Sequence, residues 1–303
     1  MTVFLPSGLQ LPISFGDQHA VVTEVGAALR SYTSAGADVV VPFAETELAP
    51  ASHGAVLLPW PNRLGDGTYE FDGERHQAPV NETTRTTALH GLACWVRWSV
   101  AEHTTSSVTL ALDLAPQPGY PFGLSAQISY TLADDGLTVE LLATNTGTGD
   151  LPYGSGFHPW LSPQGADLDE CTLLLDAATH VTVDERLLPT GSEPVAGDFD
   201  LRTPRVLADL DLDDAWLDPA RDSTGRSRAV LTRPDGSGAT VWAAAWAQAW
   251  QVCTGDHVGD PWSRTGVAVE PMSCIADAFR TGDLLVRLAP GESHVSTWGI
   301  TPH

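Results

Sequence analysis

Short runs of alternating apolar and polar residues, cut by turn signals, set the pattern of this chain. Ser106–Leu114 puts Val108, Leu110, Leu112 and Leu114 at every second position, the repeat of a strand with one buried face. Ala126–Leu132 and Leu137–Ala143 flank Asp134-Asp135-Gly136, and Ala229–Thr232 and Ala239–Ala243 flank Pro234-Asp235-Gly236. Leu284–Leu288 and His294–Ile300 flank Pro290-Gly291. Each pair reads as a hairpin. Thr68–Phe71 followed by Asp72-Gly73 reads as another, because Asp-Gly tolerates the positive φ of a tight hairpin turn. Ala20–Val25 and Asp38–Val41 are β-branched and lie near Gly, so they read as further strands. Leu187–Pro204 is dense in Gly, Pro, Asp and Ser and reads as a long surface loop.

Amphipathic helices, internal repeats, a dinucleotide-binding glycine motif and a P-loop are all missing. The expected organisation is a single all-β domain over residues 1–303, largely antiparallel. Trp242, Trp246 and Trp250 fall four apart, which fits a helix face and a strand face alike. The Asp-Gly turn before them favours a strand, and packing in the core is favoured over a floor for a sugar ring.

Composition agrees with this picture. Charged residues make up only 17% of the chain, against 28 Gly and 22 Pro, a turn-rich profile. The net charge of −23 repels phosphate backbones and anionic lipid, so nucleic-acid and membrane partners are not expected. The N-terminal stretch from Met1 to Ser14 lacks the basic and apolar regions of a signal peptide. The four cysteines form no CxxC pair and match no zinc spacing, which reads as buried free thiols in a reducing cytoplasm.

Most of the ten histidines read as structural. His19, His103 and His303 sit in polar or terminal contexts, and His76, His180 and His294 have no polar cluster nearby in sequence. His53 and His257 lie in Gly-containing loops and stay open. Three segments stand apart. His90 precedes Gly91 after a polar loop. His158 sits in Gly154-Ser155-Gly156-Phe157-His158-Pro159-Trp160. Glu270 closes the apolar run Gly266–Val269, where a carboxylate needs a partner or a purpose to justify burial. A structural salt bridge to Arg63 or Arg280 would be the plain purpose. Arg63, in Pro59-Trp60-Pro61-Asn62-Arg63, offers a rigid donor fork suited to hydroxyl groups.

Taken in order, these segments resemble the aldose 1-epimerase (galactose mutarotase) family. Asn62-Arg63, Leu89-His90-Gly91, Phe157-His158-Pro159-Trp160, Leu212-Asp213-Asp214-Ala215-Trp216, Gln251–Gly255, Val269-Glu270-Pro271-Met272 and Leu288–Ser293 with Trp298 follow the family's order from about Gly26 to Ile300. Many members carry Gly-Gly after the first histidine and aromatic-aromatic-Asn-Leu after the second. Here Gly91-Leu92 and Pro159-Trp160-Leu161 stand instead, which bears on the sugar more than on the reaction.

The resemblance implies a large antiparallel β-sandwich that interconverts the α and β anomers of a free hexose, without metal or cofactor, as a cytoplasmic monomer or homodimer. It implies Glu270 as general base, His158 as general acid and His90 as a hydrogen-bond donor. Asn62, Arg63, Asp213 and Trp160 would hold the sugar, with Asp213 and Asp214 competing for one role. The acid role asks for a His158 pKa near or above neutrality. Three other readings compete: an epimerase for an anionic sugar (a hexose 6-phosphate or sulfonated glucose), a non-catalytic carbohydrate-binding protein, and a β-sandwich lyase or hydrolase using Glu270 with Asp213 or Asp214.

Overall fold

A computed structural model describes residues 5–303, so the first four residues of the N-terminal stretch lie outside it. Two large antiparallel sheets dominate. One has nine strands, running from Ser99–His103 at one edge to Arg205–Val206 at the other. The second has eight, with Asp213–Pro219, Ala249–Cys253 and Val267–Met272 adjacent at its centre. A single apolar cluster draws Val139, Leu231, Val241 and Ile300 from the first sheet and Trp216, Trp250, Val252 and Val269 from the second. The two sheets therefore share a core, as in a sandwich. The one short α-helix among the described residues is Ala278–Thr281, and no helix there is long and apolar enough to cross a membrane.

The turn chemistry works as the sequence predicts. Asp72 and Gly73 both take positive φ (52° and 81°), and Phe71 pairs with Glu74 across them. Leu124–Ala133 pairs with Gly136–Asn145 through an Asp134-Asp135 turn, and Ser227–Thr232 pairs with Gly238–Ala243. Ala20–Val25 falls on the strand Gln18–Thr23. Asp38–Val41 reduces to Ala37–Asp38 and a single bridge from Val40 to Leu161.

Three expectations need correction. Leu284–Leu288 and His294–Ile300 do not form a hairpin. Val286–Leu288 pairs with Leu151–Tyr153, while Ser293–Pro302 runs between Gly136–Asn145 and Gly238–Ala243. Pro290-Gly291 turns the chain, but the long strand beyond it gains more as a central strand with two partners. Leu187–Pro204 contains an edge strand, Pro189–Pro194, paired with Ala177–Val183. That strand is almost wholly exposed, so no apolar alternation marks it. Trp242, Trp246 and Trp250 do not share one strand: a turn separates the strand of Trp242 from that of Trp250, which lies in the other sheet. Trp242 and Trp250 are buried, as a core reading requires.

Candidate active site

The pleat of the eight-stranded sheet sorts its centre into two faces. Asp213 is registered against Cys253, Ala215 against Gln251, Gln251 against Glu270, and Cys253 against Ala268. Directly paired residues project to the same side, so Asp213, Gln251, Cys253 and Glu270 share one face. The alternate residues Trp216, Trp250, Val252, Val267 and Val269 project to the other and form core. Asp214 falls on that far side, where its Oδ1 lies 2.9 Å from His180 Nε2. Alternation thus assigns Asp213 to the polar face. His180, expected to lack a polar cluster, is buried between Asp214 and Glu193, which come from neighbouring strands.

Over the polar face lies a cavity of about 220 Å³. Asn62, Arg63, His90, His158, Trp160, Asp213 and Glu270 all line it. Each was expected from the sequence, and the chain brings all seven together. His158 follows the strand Gly156–Phe157, and its Nε2 stands 3.3 Å from Glu270 Oε1. Glu270 is only 2% exposed, and its Oε2 has no hydrogen-bond partner. The carboxylate is therefore not a structural partner of Arg280, which faces Asp66 and Asp277. Nor does it ion-pair with Arg63, which donates to Glu82 through Nε (2.9 Å) and Nη2 (3.2 Å) and lies 3.4 Å from Asp213 Oδ2.

Backbone strain sets the other wall. Asn62 and His90 both adopt positive φ (55° and 62°), a conformation rare for residues with a Cβ and concentrated where function demands it. Their backbones meet: His90 N–H donates to Asn62 O, and Asn62 N–H donates to His90 Nδ1 at 3.2 Å. The second bond makes Nδ1 an acceptor, so the neutral ring carries its proton on Nε2 as a fixed donor. Gly91 follows at φ 70°, where a Cβ would meet Leu58 O at 2.0 Å. The Gly in the first-histidine motif is thus required by close backbone approach.

Burial governs the electrostatics. His90 is pushed down to about 3 by burial and then by the Arg63 charge. His158 falls well below the ordinary imidazole value through burial, then His90 and His53. This corrects the expectation of a His158 pKa near or above neutrality: loss of solvation and the neighbouring histidines push the ring the other way. Glu270 rises well above the ordinary carboxylate value through burial and the nearby Asp213, with Arg63 opposing. Both members of the pair are thereby driven toward their neutral forms, and in those forms the two together carry one proton. A carboxylate with an imidazolium, and a carboxylic acid with a neutral imidazole, differ only in where that proton sits.

Several site residues escaped the sequence reading. Glu82, in the polar stretch Asn81–Arg85, anchors Arg63 and accepts from Thr87 Oγ1 and Arg85. His53, left open, stacks on Trp160 at 4.7 Å and 6° between planes. His257, also left open, lines the cavity with Nε2 at 3.4 Å from Asp213. Gln251 donates to Asp213 Oδ1 at 2.8 Å.

Fold and cavity together define an all-β sandwich whose polar cleft is floored by a buried carboxylate–imidazole pair. The chain belongs to the aldose 1-epimerase family, whose model matches residues 12–301, and this is a family of isomerases. The YihR protein of Escherichia coli K12 is 36% identical over 291 residues, covering 95% of this chain and 91% of the relative. Human galactose mutarotase is 29% identical over 178 residues, 55% of this chain and 51% of that protein. Among solved structures, the GalM/aldose epimerase homologue from C. elegans superposes with a TM-score of 0.87 over 97% of this chain and 98% of that one, at 22% identity.

Proposed function

We propose that this protein is an aldose 1-epimerase acting on a neutral free hexose. The reading rests on one observation: His158 Nε2 and Glu270 Oε1 meet at 3.3 Å within a cavity lined by hydrogen-bonding groups. In the forward step Glu270 takes the proton from the C1 hydroxyl. The C1–O5 bond breaks as His158 gives a proton to the ring oxygen, leaving an open-chain aldehyde. Rotation about C1–C2 presents the other carbonyl face, and the reverse proton transfers close the ring. Each cycle returns the pair to its starting proton count, so one pair serves both directions. His90 Nε2–H donates to the ring oxygen or a neighbouring hydroxyl. Asn62, Arg63 and Asp213 hold hydroxyls, and Trp160 supplies an apolar wall.

The charge of the lining supports a neutral substrate. Two carboxylates, Glu82 and Asp213, face the cavity beside the Glu270–His158 pair, and its single guanidinium, Arg63, is already engaged by both. A phosphate or sulfonate would enter against that field. Polarimetry of freshly dissolved α-D-galactose and α-D-glucose provides the test. The protein is expected to speed relaxation to the same final rotation, with little effect on glucose 6-phosphate or a sulfonated glucose. Acceleration confined to the charged sugars would overturn the neutral-hexose reading. No acceleration with any of them would remove the epimerase assignment.

The shared proton has a pH consequence. Activity requires the pair to hold one proton, and a second must charge His158 in a buried site. The folded His158 value lies well below the ordinary one. The acid limb of kcat/KM should therefore fall well below the ordinary imidazole pKa of about 6.5. A profile that already halves near that value would contradict the assignment of His158.

A further inference from the structure

We propose that Asp213, Cys253 and His257 form a binding site for a divalent transition-metal ion of the zinc class, and that the bound ion withdraws Asp213 from the sugar site. One ligand atom from each of these side chains lies within 4.8 Å of the other two. Two of them are held rigidly, since Asp213 and Cys253 are registered partners on adjacent central strands and project to the same face. The third arrives by a turn: Gly255 takes φ 83° just beyond the strand, and His257 folds back to within 3.4 Å of Asp213 Oδ2.

The donor set is chemically coherent. Thiolate, imidazole and carboxylate suit zinc and its softer neighbours, and exclude magnesium or calcium as the natural occupant. Two ligand atoms on one tetrahedral zinc ion stand about 3.5 Å apart, close to the 3.4 Å between His257 Nε2 and Asp213 Oδ2. The ion draws the Cys253 sulfur and its two partners together from a spread of up to 4.8 Å, and the His257 side chain, 37% exposed on its loop, has room to follow. Cys253 loses its thiol proton to solvent as the sulfur–metal bond forms. The neighbouring guanidinium of Arg63, with Nη2 3.4 Å from Asp213 Oδ2, has its charge met by Glu82, which lies 2.9 Å from its Nε. Three protein ligands leave a fourth position facing the cavity, open to water.

Sequence spacing could not show this site, because its ligands come from two separate stretches and match no zinc pattern. Metal binding stands on the geometry alone, while competition with sugar rests on the function proposed above. Cobalt(II) titration of the full chain tests both. One Co²⁺ per chain should bind and produce the near-ultraviolet charge-transfer band of a thiolate ligand, and Zn²⁺ should displace it. Cys253→Ser should abolish the band, and His257→Ala, on an exposed turn, should weaken binding at least about tenfold. D-Galactose should raise the Co²⁺ concentration needed for half-saturation. Absence of the band at saturating Co²⁺, or its survival in both variants, would overturn the site. A band that obeys both variants but ignores galactose would keep the metal site and overturn its competition with sugar.

Discussion

Glu270→Gln is expected to lower kcat for anomer interconversion by about 10²–10⁴-fold, the usual worth of a positioned general acid or base. Gln keeps the shape of the side chain and its place on the strand Val267–Met272 but cannot accept the C1 hydroxyl proton. The same change should stabilise the fold, and the sign follows from burial. Glu270 in the folded protein holds its proton more tightly than an ordinary carboxylate, mainly because it is buried. Below the ordinary carboxylate pKa both folded and unfolded chains are protonated there, and the carboxyl costs nothing. Above it the unfolded chain releases the proton while the folded chain resists, so stability falls until the folded pKa is passed. The variant escapes that loss. Its melting temperature should therefore exceed the parent's at neutral pH, with the gap closing in acid. Kinetic loss with no gain in stability would keep Glu270 as the base and overturn its raised pKa. A gain in stability with unchanged turnover would move the base elsewhere.

That trade is why Glu270 was legible in the sequence. A carboxylate closing an apolar strand breaks the local pattern, and departures of that kind collect at functional sites. His158 and Trp160 were legible as a Gly- and Pro-bounded motif. Arg63 stood out because arginines are scarce. The strands were legible wherever one face is buried and the other wet. They failed where that contrast vanishes, as at the exposed edge strand Pro189–Pro194. Pairing failed where a turn signal was present but a distant partner won, as for Ser293–Pro302.

What stayed hidden in the site was whatever depends on three-dimensional neighbours. Glu82 sits in a polar loop without a pattern of its own, and only the fold brings it to Arg63. The choice between Asp213 and Asp214 is a matter of pleat parity, invisible until the register with Cys253 is known. The His158 pKa went wrong for the same reason. From sequence the neighbour that mattered was a carboxylate; in the structure full burial and two further histidines set the direction.

The second large effect separates a working pair from two independent contributors. His158→Ala should lower kcat about as severely as Glu270→Gln, by orders of magnitude. Because Ala leaves a void against Trp160 and His90, His158→Gln provides a fuller side chain with the same expected loss. The informative variant is the double one. If Glu270 and His158 pass protons at opposite ends of the same breaking bond, removing either stops the concerted step. Removing both should then cost little more than removing one. Two groups that merely bind the sugar would instead give nearly additive losses, chiefly in KM. The burial of the pair argues for the first outcome. Neither group is well placed to be charged alone, and their 3.3 Å contact gives a proton a short path between them. A double variant whose kcat loss equals the product of the two single losses would show that the two groups act independently.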